Sequence, residues 1–245
     1  MVTSYLGEKT FLEEDQRRFA ALSGDCNPVH LEGRGGGAVV HGIHIVLCAL
    51  NQLATSDPDL PAVASLKASF SQPVRAGETV IWRLKRRSEK DAIVETWRGA
   101  DAASRLVVTF GPPLPPAQPI GLGGLALRSP STPAKLDLPA MAGQSGRVGV
   151  PAADAAITAW FPAAARAVSA ARLRACLCTT YLVGMVCPGQ NSIFGGLLLH
   201  ASPDPAGDTL GFKVIRADPR LLVCRMEVEG SGVWGTVDSF VRAGP

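Results

Sequence analysis

The chain has 245 residues, of which 47% are hydrophobic and 18% charged, with a formal net charge of +3. That composition supports a sizeable core, excludes wholesale disorder, and leaves too little positive charge to argue for nucleic acid. No stretch approaches the roughly 18–20 uninterrupted apolar residues of a membrane span, and MVTSYLGEKTFLEEDQRR lacks a signal-peptide core, so a soluble cytoplasmic protein is expected.

Cysteines stand at 26, 48, 176, 178, 187 and 224. None forms a CxxC pair, and Cys176 and Cys178 have no second ligand pair nearby. Neither a disulfide framework nor a metal site is expected, and a reducing compartment fits.

Thr10-Phe11-Leu12-Glu13 has capping-box spacing and predicts a helix through EDQRRFAAL to about Leu22. SGDCNP stops it, because Gly24, Asn27 and Pro28 continue a helix poorly. After the glycine-rich LEGRGGGA, the stretch IHIVLCALNQLA is apolar nearly all round from Gly42 onward, which predicts a buried central helix. Four strand-like runs follow: ASLKASFSQ, ETVIWRLKRR, DAIVETWRG and RLVVTF. The second carries a basic cluster, Arg83, Lys85, Arg86 and Arg87. It reads as a solvated strand face, with an acidic carrier or a phosphate-bearing ligand as the alternative.

Residues 113–151 are crowded with proline, glycine and serine and read as a linker between an N-terminal unit, 1–112, and a C-terminal unit, 152–245. Beyond it, DAAITAWFPAAARAVSAARLRACLCTTYL is helical in character. Four further strand-like runs follow, SIFGGLLLHA, TLGFKVIRA, RLLVCRMEVEG and VWGTVDSF. The order helix, then four strands, therefore occurs twice. Ala76-Gly77-Glu78-Thr79-Val80 and Ala206-Gly207-Asp208-Thr209-Leu210 sit at the same junction of the two halves, which argues for an internal duplication. Each half is an α+β unit, a helix on one face of an antiparallel sheet, and two such units can pair their sheets edge to edge.

LSGDCNPVH, residues 22–30, and VVHGIH, residues 39–44, hold three of the four histidines. Asp25 and His30 flank a turn stiffened by Pro28, and Asn27 is suited to hold it through side-chain-to-backbone hydrogen bonds. Such a turn can bring a carboxylate and an imidazole to one water. The carboxylate then takes a proton while the imidazole orients the water or handles the second proton. His41-Gly42 falls where the central helix begins, and the first N–H groups of a helix lack intrahelical partners at its positive dipole end. With no side chain at Gly42, a substrate carbonyl can approach closely; removing one such donor typically costs roughly 2.7–4 kcal/mol of transition-state stabilisation. His41 is expected to brace the helix start, Ser23 to support the turn, and His44 to pack in the core.

FAALSGDCNPVH, then VVHGIH, with FSQPVRAGETV at 70–80, resembles the MaoC-like, or (R)-specific enoyl-CoA hydratase, family of hotdog-fold proteins over roughly residues 10–112. The resemblance implies a double hotdog, with a catalytic N-terminal half and a degenerate C-terminal copy that helps form the acyl tunnel. It implies reversible hydration of a 2-enoyl/3-hydroxyacyl thioester on coenzyme A or an acyl carrier protein, with no cofactor. Carried over residue by residue, Asp25 and His30 would bind and activate water and the Gly42 N–H would hold the thioester carbonyl, with Asn27, Ser23 and His41 in support. The chain departs from the family between His30 and His41, where only LEGRGGGAVV intervenes; a wall of the acyl pocket is shortened, giving either an open site or a decayed one. The rival readings are a hotdog thioesterase and a non-catalytic acyl-binding protein. In the C-terminal half, LVGMVCPGQNSIFGGLLL places a turn at Pro188-Gly189, after which Gln190, Asn191 and Ser192 line a pocket or cap the strand. Monomer and homodimer both remain compatible with the sequence.

Overall fold

The computed structural model describes residues 4–32, 37–116, 119–121, 124–190, 192–204 and 207–241. Strand β1, Ser4–Thr10, runs almost directly into helix α1, Glu13–Ser23. The helix starts later than the expected capping box because Thr10 still belongs to the strand, its hydroxyl 2.6 Å from that of Thr79. The Asp15 carboxylate closes the helix start instead, accepting the Leu12 N–H at 2.8 Å. Gly24, at φ +77°, ends the helix in the left-handed conformation that favours glycine.

Helix α2 is the single turn Pro28–Leu31, and α3 spans Gly42–Ser56. Helix α3 packs against β1 and against strands β3 (Thr79–Arg87), β4 (Asp91–Arg98) and β5 (Asp101–Phe110), while β2 (Val63–Phe70) lies beside β5. Ile43, Leu47, Leu50 and Leu53 are fully buried. Each such side chain contributes roughly 1.5–3 kcal/mol relative to its exposed state, so burial rather than helix propensity holds α3 in place.

The segment read as a linker carries structure of its own: a one-turn helix, α4 (Leu138–Met141), and strand β6 (Ser145–Gly149). Strand β6 pairs with β8 (Thr209–Asp218), from Ser145↔Lys213 to Gly149↔Thr209. The ordered second unit thus begins before residue 152. With Val148 its sole large apolar residue, SGRVG offers almost no alternation to read. The alanine-rich region forms α5 (Asp154–Trp160), α6 (Pro162–Val168) and α7 (Ala170–Tyr181), and α7 continues as a π-helical turn, Leu182–Val186. Strands β7 (Ser192–Ala201), β9 (Val223–Gly230) and β10 (Val233–Val241) complete the half.

The ten strands form one antiparallel sheet in the order β1-β3-β4-β5-β2-β7-β10-β9-β8-β6. From either edge inward the order is the same: first, third, fourth, fifth and second strand of each half. The halves meet at β2–β7, from Ser65↔His200 to Ser69↔Gly196. Gly77 and Gly207, at φ +90° and +95°, turn the chain into β3 and β8, and those strands bulge at matching places, between Leu84 and Arg86 and between Val214 and Arg216. Shared order, turns and bulges are the marks of an internal duplication. The fold is the α+β double hotdog that the sequence implied.

The basic cluster on β3 is compensated within the molecule. Lys85 pairs with Glu95 at 2.6 Å, Arg86 with Asp91, and Arg87 with Asp57 at 3.0 Å, while Arg83 lies over the Trp97 ring. It is a self-neutralised strand face. No helix among the described residues is long and apolar enough to cross a membrane.

Candidate functional site

The GDCNP turn is bound at both ends by its own polar atoms. Ser23 donates its hydroxyl to Phe19 O at 2.8 Å and accepts the Asp25 N–H at 3.2 Å. Asn27 caps α2, its Oδ1 accepting the Val29 N–H at 3.2 Å with Pro28 at the first helical position. These local bonds place Asp25 just before α2 and His30 upon it.

Asp25 is 1% exposed and its carboxylate is hydrogen-bonded on both oxygens: Oδ1 accepts the Asn27 N–H at 3.2 Å and Oδ2 accepts the Thr180 hydroxyl at 2.7 Å. Burial pushes its pKa above the usual carboxylate range, against the opposing pull of His30, Thr180 and the Asn27 N–H. His30 Nε2 lies 3.9 Å from Asp25 Oδ2. That is too long for a direct hydrogen bond, and within the separation that one bridging water can span. His30 Nδ1 faces Val39 O at 2.6 Å, so Nδ1 carries a proton donated to that carbonyl, and Nε2 is the nitrogen turned toward Asp25.

His41 lies wholly buried behind this pair. Its ring stacks on that of His30 with centroids 3.7 Å apart, its Nε2 is 3.1 Å from Asp25 O, and its Nδ1 and backbone N–H each lie 3.2 Å from Gln16 Oε1. Burial, with His30 next in weight, holds its pKa well below the ordinary histidine value, so the ring is neutral at physiological pH. These contacts tie His41, which precedes α3, to Gln16 of α1. His44 stacks on Phe19 at 4.4 Å in the core, and burial lowers its pKa to about 3. Asp25, His30 and His41 each bring one donor atom within 4.8 Å of the others. Within this group Asp25 Oδ2 already accepts from Thr180, and His41 Nε2 lies 3.1 Å from Asp25 O.

Gly42 is the first residue of α3, and its N–H has no hydrogen-bond partner among the described residues. Glycine here is also a packing requirement, since a Cβ would come within 2.9 Å of the Phe70 ring. Asp25, His30 and Gly42 all face one cavity of about 410 Å³ between the halves. Val39, Val40 and Ile45 wall it from the first half, Val183, Ile193 and Phe194 from the second, and Phe70 meets Phe194 edge to face at 5.6 Å. The cavity is mainly apolar with a few polar side chains in its lining, the usual constitution of a small-molecule site.

Several contributors escaped the sequence reading. Thr180, Gly184 and Gly189 come from the second half, where Asn27 Nδ2 donates to Gly184 O at 3.0 Å and to Gly189 O at 3.1 Å. Gln16 was hidden among the polar residues of α1. The one available signal was the Thr179-Thr180 pair following the buried run Ala175–Cys178 of α7. Ser192 both starts β7 and borders the cavity, donating to Gly189 O at 2.7 Å. The Gln190 N–H is held by Ala134 O. Asn191 and most of the shortened glycine loop, residues 33–36, lie outside the described residues.

Residues 3–101 match the family model of the MaoC like domain. A search of curated protein sequences finds no match. Among solved structures, a MaoC-like dehydratase is similar at TM-score 0.59 and 13% identity, over 99% of this chain and 98% of that one. A MaoC domain protein dehydratase from Chloroflexus aurantiacus gives 0.55 and 14%, over 99% and 95%. A thioesterase II from Thermobifida fusca gives 0.51 and 14%, over 89% and 91%. At these identities the structural likeness speaks for the fold of the whole chain.

Proposed function

For a double-hotdog chain whose residues 3–101 are a MaoC-like domain, a constitution that supports hydratase, dehydratase or thioesterase-type chemistry, we propose the reversible hydration of a 2-enoyl thioester to a 3-hydroxyacyl thioester. The observation that carries this reading is the approach of His30 Nε2 to 3.9 Å from Asp25 Oδ2, in a cavity that Gly42, the first residue of α3, also lines.

The thioester carbonyl sits against the Gly42 N–H and the positive end of α3, which stabilise the enolate charge that develops on its oxygen. Water between Asp25 and His30 adds its oxygen to C3. The proton it loses passes to the Asp25–His30 pair, and C2 gains one proton, so the elements of one water are added overall. Burial raises the Asp25 pKa above the usual carboxylate range, the direction that suits a group which both accepts and returns a proton. Dehydration is the same sequence reversed. The carrier is coenzyme A or an acyl carrier protein, and the apolar part of the cavity takes the acyl chain.

The test is hydration of crotonyl-CoA, followed by loss of enoyl-thioester absorbance, in the wild type and in Asp25→Asn. Turnover that falls by roughly 10²–10⁴-fold on the substitution supports the assignment. Wild type inert toward short, medium and carrier-bound enoyl thioesters overturns it in favour of a binding protein.

A further inference from the structure

The second half has lost the GDxNPxH motif, yet its polar atoms converge on the motif of the first half. Thr179 and Thr180 are adjacent and both buried in α7, but they differ in partner. Thr179 returns its hydroxyl to Cys176 O at 2.7 Å, within its own helix, whereas Thr180 donates across the interface to Asp25 Oδ2. Four residues on, Gly184 lies in the π-helical turn, where a Cβ would stand 2.1 Å from Asp25 Oδ1 and 2.5 Å from its carboxyl carbon. The same glycine's carbonyl accepts from Asn27 Nδ2. The turn therefore leaves a side-chain-sized vacancy, and the Asp25 carboxylate fills it. π-Helical turns recur at functional sites because the extra residue re-aims the backbone.

We propose that Thr180 is a positioning residue for the reaction, fixing Asp25 Oδ2 from the second half, and that Gly184 in its π-helical turn is the clearance which lets the carboxylate occupy that place. The proposal rests on the hydration reading above. A carboxylate oxygen has two lone-pair directions; the Thr180 hydroxyl occupies one on Oδ2 and leaves the other for the water shared with His30. Without the hydroxyl the carboxyl group can rotate, and the charged form loses its shortest hydrogen bond. The degenerate half is thus part of the catalytic constellation as well as a wall of the cavity.

The experiment uses the full-length chain and the variants Thr180→Val, Thr180→Ala and Thr180→Ser. Two readouts are taken: crotonyl-CoA hydration across pH, and titration of the Asp25 carboxyl by carbon NMR of aspartate-labelled protein, assigned with Asp25→Asn. Thr180→Val should lower kcat roughly ten- to a hundredfold, the worth of a hydrogen bond to a charged group, with KM changed less than about twofold. Its acidic limb and the Asp25 titration should both move to higher pH, and Thr180→Ser should restore most of each. Thr180→Ala carries the same test if the valine variant does not fold. Wild-type kcat with an unmoved Asp25 titration in Thr180→Val or Thr180→Ala overturns the proposal, as does a kcat loss with no shift of the acidic limb. A wild type without turnover defeats the hydration reading, and the Asp25 titration then still decides whether Thr180 holds the carboxylate.

Discussion

Asn27→Ala separates a residue that shapes its own turn from one that fastens the two halves together. Asn27 is 1% exposed and its side chain makes three hydrogen bonds: Oδ1 accepts the Val29 N–H, and Nδ2 donates to Gly184 O and Gly189 O. Gly189 O keeps the Ser192 hydroxyl at 2.7 Å after truncation. Gly184 O loses its side-chain donor and the Val29 N–H loses its cap, at about 1–3 kcal/mol each where water is shut out. The expected loss is about 2–6 kcal/mol, a large share of the roughly 5–15 kcal/mol that a folded domain commands. Asn27→Asp keeps the cap but turns a carboxylate oxygen toward the two carbonyls, so it should lose at least as much. Urea unfolding followed by far-UV circular dichroism at neutral pH measures both. A loss of about 1 kcal/mol for Asn27→Ala, the ordinary cost of an N-cap, would refute the reasoning and confine Asn27 to its own turn.

Gly42→Ala should destabilise by about 1–3 kcal/mol because its Cβ meets the Phe70 ring at 2.9 Å, and adding Phe70→Leu should recover part of that loss in a double-mutant cycle by thermal unfolding. His44 has a folded-state pKa of about 3, below its ordinary value of 6.5, so below pH 6.5 the unfolded chain binds its proton first and stability falls with pH until about pH 3. At pH 5 its share is about 2 kcal/mol by that linkage; Asp25, raised by burial, acts in the opposite direction above its usual range. The loss between pH 7 and pH 5 should therefore be smaller in His44→Leu than in the wild type, read from urea midpoints. Arg86→Gln and Arg87→Gln remove exposed, internally paired charges and should cost less than about 1 kcal/mol each, with KM for a coenzyme A thioester unchanged.

The sequence was most legible where residue type and local structure agree. Gly24 had to end a helix, Asn27-Pro28 had to begin one, and the apolar run after Gly42 had no other use than a buried helix; the duplication was visible in AGETV and AGDTL. The edge strands were the blind spot. β1 buries little and β6 is five residues with one large apolar side chain, so neither shows a clean period of two, and both exist because β3 and β8 offer them an open edge. The same limit hid Thr180 and Gly184. Asp25 and His30 are five residues apart and brought together by a local turn, whereas Thr180 reaches Asp25 across 155 positions of chain. Only tertiary packing creates such a contact, and a threonine within a helix gives no sign of its partner.

The most direct test of the central claim is the identity of the product. Full-length protein incubated with crotonyl-CoA, and the mixture analysed by mass spectrometry beside a free-thiol assay, distinguishes attack at C3 from attack at the carbonyl carbon. The proposed hydration, with water activated by Asp25 and His30, predicts a product heavier by one water with its thioester intact, and little such product from Asp25→Asn. Release of free coenzyme A in step with substrate loss, abolished by the same substitution, would contradict hydration and make the site a thioesterase.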